Sequence, residues 1–169
     1  MKKYLAYPFL YDKSCDLRCD FEILTDEVSS MIGLLRSFVE DKTLREDLSK
    51  INELMYHINP SLRTKTTVTN EELMWLESRF IELQEEVKDR FDKFVLPQGT
   101  TEAGYCHVIR SKCKSIVRLL SRYKEQGNHV DDILFDFTNL YSGYFFVLAL
   151  KFNKDNYLDE TEFISRNYK

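Results

Sequence analysis

The chain has 169 residues, with 43% hydrophobic and 31% charged residues, 5 glycines and 3 prolines; this suits one packed domain and excludes disordered, collagenous and turn-rich all-β chains. Its 24 Lys and Arg against 28 Asp and Glu give a formal charge of -4, so no overall positive field is available to hold a nucleic-acid backbone. The longest apolar stretch, Tyr144 to Leu150, falls well short of the roughly 20 residues a spanning helix needs, and the start MKKYLAYPFLYDKSCD returns to charge before a signal-peptide core forms.

The expectation is a cytoplasmic protein with neither nucleic acid nor membrane as partner, whose cysteines Cys15, Cys19, Cys106 and Cys113 are reduced thiols. Residues 1–19 read as an N-terminal leader, 20–153 as a helical bundle and 154–169 as a polar C-terminal tail.

The spacing of Phe21, Leu24, Val28, Met31, Ile32, Leu35, Phe38 and Val39 puts one apolar stripe on a helix over about 20–40. Leu44, Leu48, Ile51, Leu54, Met55 and Ile58 carry a short second helix that Asn59-Pro60 ends, because the proline ring disfavours a helical conformation just before it. After a threonine-rich link, Thr69-Asn70-Glu71-Glu72 has the form of a capping box, and Leu73, Leu76, Phe80, Leu83, Val87 and Phe91 predict a third helix.

Pro97 and Gly99 break the chain again, and a threonine following them can cap the next helix, whose stripe is Ile109, Cys113, Ile116, Val117 and Leu120. Gly127-Asn128 predicts its stop. Val130, Ile133, Leu134, Phe137, Tyr141, Tyr144, Phe145 and Leu148 form a fifth helix, apolar on two sides and therefore covered on more than one flank. The tail beyond Asn153 has too few apolar residues for a stripe, is expected to pack loosely, and is assigned no chemistry. With no strand-like alternation, the fold class is all-α, a five-helix up-and-down bundle.

Three features could carry chemistry, each with a plainer reading beside it. The loop Val95–Thr101 is either an interhelical turn or, through the free amides of the helix it opens, an anion site. Arg110, Lys114, Arg118 and Arg122 lie four apart and form a basic row, either a solvated face or a polyphosphate site. His107, one turn before Arg110, is either a phosphate or sugar donor or a packed histidine. Cys15-x3-Cys19 lacks the second ligand pair a closed zinc site needs, Cys106 and Cys113 read as small core side chains, and the Asp26-Glu27 carboxylates should meet a cation, with Arg110 one candidate.

Taken together, three blocks resemble the PduO-type ATP:cob(I)alamin adenosyltransferases over roughly residues 18–153. Asp26-Glu27-Val28-Ser29-Ser30 with Gly33 is similar to the family's D-E-L-N-S-x-x-G. Phe94-Val95-Leu96-Pro97-Gln98-Gly99 with His107, Arg110, Cys113 and Lys114 is similar to F-I-L-P-G-G followed by H-x-x-R-x-x-C-R-R-x-E-R. The third block is Asn139 with Phe146-Val147-Leu148-Ala149.

The resemblance implies a bundle of the ferritin-like, cobalamin adenosyltransferase type that assembles as a homotrimer with sites between subunits. It also implies transfer of the 5′-deoxyadenosyl group of ATP, with Mg²⁺, to the cobalt of the substrate cob(I)alamin. On that basis Arg110 would hold the triphosphate and pair with Asp26 of a neighbouring subunit, with Lys114 standing where a second phosphate-binding arginine does. Asn139 would contact the nucleotide side, His107 would join the cofactor contacts, and Phe94 would face the corrin.

A B12-dependent enzyme or a reductase would be a partner. The chain differs from the family in having no T-R-T-G-D-x-G-T-T segment near its start, Val117 for a glutamate and Gly143 for an aspartate. Arg110-Ser111-Lys112-Cys113-Lys114 is comparable to the R-T-K-x-R of the ethanolamine-utilisation branch. The alternative is a non-catalytic relative that binds a corrinoid or nucleotide as a carrier or interaction module.

Overall fold

The computed structural model describes residues 9–91 and 93–167, so the first eight residues of the expected leader and the last two of the tail lie outside the described residues. Five α-helices follow in order: α1 (Leu17–Phe38), α2 (Lys42–Ile58), α3 (Asn70–Glu86), α4 (Thr101–Glu125) and α5 (Asp132–Asp155), with a 3-10 turn at Lys88–Arg90 between α3 and α4. Contacts run from α2 to α1, α1 to α4, α4 to α5 and α5 to α3. This is the all-α bundle expected.

Each start is set by local chemistry. Asp16 accepts from the Arg18 amide (3.1 Å) at the head of α1, and Asp41 accepts from the Leu44 amide (2.7 Å) at the head of α2. The capping box is formed in full at α3: the Thr69 amide donates to Glu72 (2.9 Å) and the Glu72 amide to the Thr69 hydroxyl (3.3 Å). Thr100 caps α4 by accepting from the Ala103 amide (3.1 Å), and Gly127 follows that helix at φ +87°, a left-handed conformation that favours glycine.

α5 is the centre of the bundle. Leu134, Phe137, Tyr141, Tyr144, Phe145, Val147, Leu148, Ala149 and Leu150 are all buried, and each large side chain taken from water contributes about 1.5–3 kcal/mol. Among the described residues α5 is the one helix long and apolar enough to cross a membrane, yet 61% of that apolar window is buried inside the bundle. It runs through Asp155, beyond the stripe that predicted it.

Three expectations are corrected. α3 stops at Glu86 rather than reaching Phe91, because Val87 leaves helical conformation (φ -117°, ψ 19°) while staying buried. A 3-10 turn of charged residues, Lys88–Arg90, stands where the spacing suggested more α-helix. At Asn59 the helix ends where expected, but Asn59 is itself αR (φ -48°, ψ -50°). The missing N–H of Pro60, rather than a forbidden conformation before it, breaks the ladder.

The third correction concerns the tail, which is tied down. The Leu96 amide donates to the Thr161 carbonyl (2.9 Å) and the Phe163 amide to the Phe94 carbonyl (2.7 Å), with Val95 opposite Glu162 as an antiparallel bridge. Backbone pairing needs no apolar stripe, so hydropathy did not reveal it.

Where this pairing meets the bundle, Asn153 is 1% exposed near the end of a largely apolar helix. Its Oδ1 accepts from the Thr100 amide (3.0 Å) and its Nδ2 donates to the Gln98 carbonyl (3.2 Å) and to Glu160 (3.3 Å). Gly99, at φ +140°, lies so close that a Cβ there would overlap the Asn153 amide. Gly99→Ala is expected to cost more than about 1 kcal/mol in urea denaturation; an unchanged midpoint would show that the clamp yields freely.

Candidate functional site

α4 and α5 wall one side each of a cavity of 620 Å³. From α4 come His107, Arg110 and Lys114, spaced three and four apart and so on one face. From α5 come Asn139, Ser142, Gly143 and Phe146, on the same spacing; α3 adds Phe80, and the segment after α3 adds Phe91, Lys93, Phe94, Val95 and Pro97. The size lies within the usual range of ligand pockets.

The floor is aromatic. Phe91 meets Phe146 edge-on (6.2 Å between centroids), the His107 ring is tilted at 6.4 Å from Phe146, and the Arg110 guanidinium stands 5.8 Å from the centre of that ring. His107 is buried, and neither its Nδ1 nor the Nε of Arg110 has a hydrogen-bond partner. Such unpaired buried groups cost about 1–3 kcal/mol each, a cost that a ligand's polar atoms would offset. Phe94, by contrast, is 83% exposed.

Lys93, Arg110 and Lys114 are the charged side chains of this lining, and no carboxylate is among the described residues that form it. The cavity therefore draws anions. Arg118 and Arg122 are exposed on α4 and do not line it, so the basic row divides into two cations at the cavity and two on the solvated face. The other anion reading, at the head of α4, is not supported: the Thr100 amide is bonded to Asn153, the Ala103 amide to Thr100, and Glu102 occupies the first turn.

Five of the six expected site residues, Phe94, His107, Arg110, Lys114 and Asn139, thus share this cavity. Asp26 does not. It accepts a hydrogen bond from the Tyr56 hydroxyl (2.6 Å) and lines a separate hollow of 410 Å³ with Leu10, Glu22, Ile23, Tyr56 and Asn59. Within one chain Arg110 is not its partner, and the neighbouring Glu27 pairs with Lys112 (2.7 Å). Beside that hollow, Arg63 holds the leader to the bundle through Glu22 (2.8 Å), Asp12 (2.9 Å) and the Phe9 ring (3.7 Å to its centre).

Residue-by-residue reading missed Phe80. A Cβ at Gly143 would lie 3.3 Å from the Phe80 ring, so glycine, unfavourable inside a helix, is kept where α3 approaches α5. It also missed Asn153, whose signal was a lone polar residue on an apolar face.

A family model described as cobalamin adenosyltransferase matches residues 15–152, and the chain belongs to that family. Among solved structures, a histidine-for-phenylalanine variant of the PduO-type ATP:corrinoid adenosyltransferase from Lactobacillus reuteri, complexed with cobalamin and ATP, superposes with a TM-score of 0.78 at 22% identity, covering 91% of this chain and 86% of that one. An alanine variant with the same ligands gives 0.78 at 21% identity, covering 89% and 88%. An arginine-to-lysine variant complexed with ATP gives 0.77 at 23%, again covering 89% and 88%. None of the curated proteins matches. The resemblance drawn from the three sequence blocks is the family found here.

Two measurements probe the cavity wall. Gly143→Asp is expected to lower stability by about 1–3 kcal/mol through overpacking, and Phe80→Ala in the same chain to recover part of it; additive losses would show that the two positions do not meet. Burial, and then the adjacent Arg110 charge, depress the His107 imidazole from 6.5 to about 4. The unfolded chain then takes up a proton first, so folded stability falls as pH drops from about 6.5 to about 4. Thermal melts of His107→Gln should lose less stability across that window than the parent; parallel curves would contradict the assignment.

Proposed function

We propose that this protein is a corrinoid adenosyltransferase whose chemistry takes place in the α4/α5 cavity. The observation that carries this reading is the convergence there of Arg110, Lys114, His107, Asn139 and Phe94. The reaction forms a bond between the cobalt of cob(I)alamin and C5′ of ATP while the C5′–O bond breaks, and the bonding pair leaves with triphosphate. The reduced corrinoid is itself the nucleophile, so the chain's work is placement and charge.

Arg110 and Lys114 would hold the triphosphate and stabilise the charge that grows on it. Lysine offers a point charge where arginine offers a two-pronged fork, so Arg110 carries most of the orientation. Phe94 would face the corrin, where displacement of the lower axial base makes the cobalt easier to reduce. Asn139 and the neutral His107 would supply polar contacts to the nucleotide or corrinoid edge. Among the described residues no group of three metal-ligating side chains occurs; Mg²⁺ would arrive on the ATP phosphates, as it commonly does.

The same reading has three copies assemble in the cytoplasm, with Asp26 of one copy facing Arg110 of the next, and a reductase or B12-dependent enzyme as partner. A second reading, a carrier that binds corrinoid or nucleotide without turnover, is favoured by the lack of a carboxylate among the described lining residues and by Gly143 at the family's aspartate.

Incubation with ATP, Mg²⁺ and chemically reduced cobalamin, following loss of the cob(I) absorbance, separates the two. Adenosylcobalamin above the no-protein control supports the enzyme; a raised melting temperature without turnover supports the carrier. Arg110→Ala is expected to weaken ATP binding by about 10-fold to 100-fold, the worth of lost charge-assisted hydrogen bonds, and to loosen the trimer in sedimentation. Unchanged affinity and assembly would remove Arg110 from the site.

A further inference from the structure

Phe94 stands at the cavity edge on a segment outside the helices, 83% exposed. Little in its own surroundings would hold a phenylalanine there, since neighbouring Lys93 and Leu96 are exposed as well. What fixes the segment is the C-terminal tail. The two backbone hydrogen bonds that flank Val95 reach it from Thr161 and Phe163, and Gln98 Nε2 adds a third contact to the Thr161 hydroxyl (2.7 Å).

The tail is in turn anchored by charge. The Arg90 guanidinium donates from one nitrogen to the Leu158 carbonyl (2.7 Å) and to Glu160 (2.7 Å). These side chains are only 13% and 9% exposed, so the pair is shielded enough to hold geometry better than a surface ion pair. The other oxygen of Glu160 accepts from Asn153, whose backbone carbonyl accepts from the Leu158 amide (2.9 Å). One connected network therefore runs from the buried end of α5, through the tail, to the residue at the cavity edge.

We infer that Arg90, Asn153 and Glu160 are positioning residues, which seat residues 158–163 against Phe94–Leu96 and thereby set where Phe94 stands over the cavity. The inference rests on the reading of Phe94 as the corrinoid-facing side chain and goes beyond it by giving the tail a task. None of the three lines the cavity itself, although Arg90 and Glu160 share a neighbouring hollow with Lys93 and Val95; Arg110 and Lys114, to which the triphosphate is assigned, stand on α4 rather than on this segment. Loss of the tail should therefore weaken the hold on corrinoid and leave ATP affinity alone.

The test compares the full chain with four variants: one ending at Tyr157, Phe163→Pro, Phe94→Ala, and the shortened chain carrying Phe94→Ala. Phe163→Pro deletes the amide that donates to the Phe94 carbonyl at an exposed position, and it carries the test if the shortened chain proves unstable by circular dichroism. Equilibrium dialysis reads the dissociation constants of cob(II)alamin, with ATP present, and of ATP alone.

Expected are a loss of about tenfold in cob(II)alamin affinity for the shortened chain and a smaller loss for Phe163→Pro, with ATP affinity unchanged. Phe94→Ala placed in the shortened chain should add little, because both changes act through one side chain. Full cob(II)alamin affinity without the tail, an equal loss of ATP affinity, or additive losses in the double variant would each overturn the inference. Should Phe94→Ala alone leave cob(II)alamin binding intact, the reading of Phe94 fails first and the positioning role falls with it.

Discussion

A helix that is apolar on more than one flank persists in water only when other helices cover those flanks, and α5 is such a helix from Leu134 to Phe152, with Asp136 and Asn139 left exposed. That demand organises the molecule. α4 and α3 lie against it, α1 backs α4, and α2 backs α1. The cavity occurs where cover is incomplete, between the middle of α4 and the half of α5 that carries Asn139 and Phe146. Site and core are thus two outcomes of one packing problem, and Arg110 stands over an aromatic floor because its helix must cover aromatic residues.

Charge and packing in that cavity have been settled together. Lys93, Arg110 and Lys114 face a space walled by Phe80, Phe91 and Phe146, with no acid among the described lining residues. Gly143 lines the same space, and the Phe80 ring lies beside it where a Cβ would come to 3.3 Å. The result favours an anionic group lying against a flat apolar surface. The same low-dielectric wall keeps His107 neutral at physiological pH.

Features that depend on near neighbours in the chain were legible from the amino acids. Thr69 with Glu72, Thr100 ahead of Ala103 and Gly127 after α4 act over three or four residues, so a short window contains the whole cause. His107, Arg110 and Lys114 could be placed on one face because helical spacing is local too. The Asn153 to Thr100 bond, the Arg90 to Glu160 pair and the approach of Phe80 to Gly143 join residues 53 to 70 positions apart, and no window contains both members.

The misreadings share that origin. Phe91 fitted the spacing of α3 although a charged 3-10 turn separates it from that helix, and the tail lacked a stripe because its partner was backbone. Asp26 is expected from its charge to meet a cation, and inside one chain it accepts from the Tyr56 hydroxyl instead.

The distribution of sulfur has a chemical consequence. Cys19, Cys106 and Cys113 are buried, and burial pushes all three thiols up, away from the reactive thiolate form. Cys15 alone of the four is exposed, just ahead of α1. Alkylating reagents thus find one accessible thiol, ahead of the helices, while the three buried thiols are shielded and no disulfide occurs among the described residues.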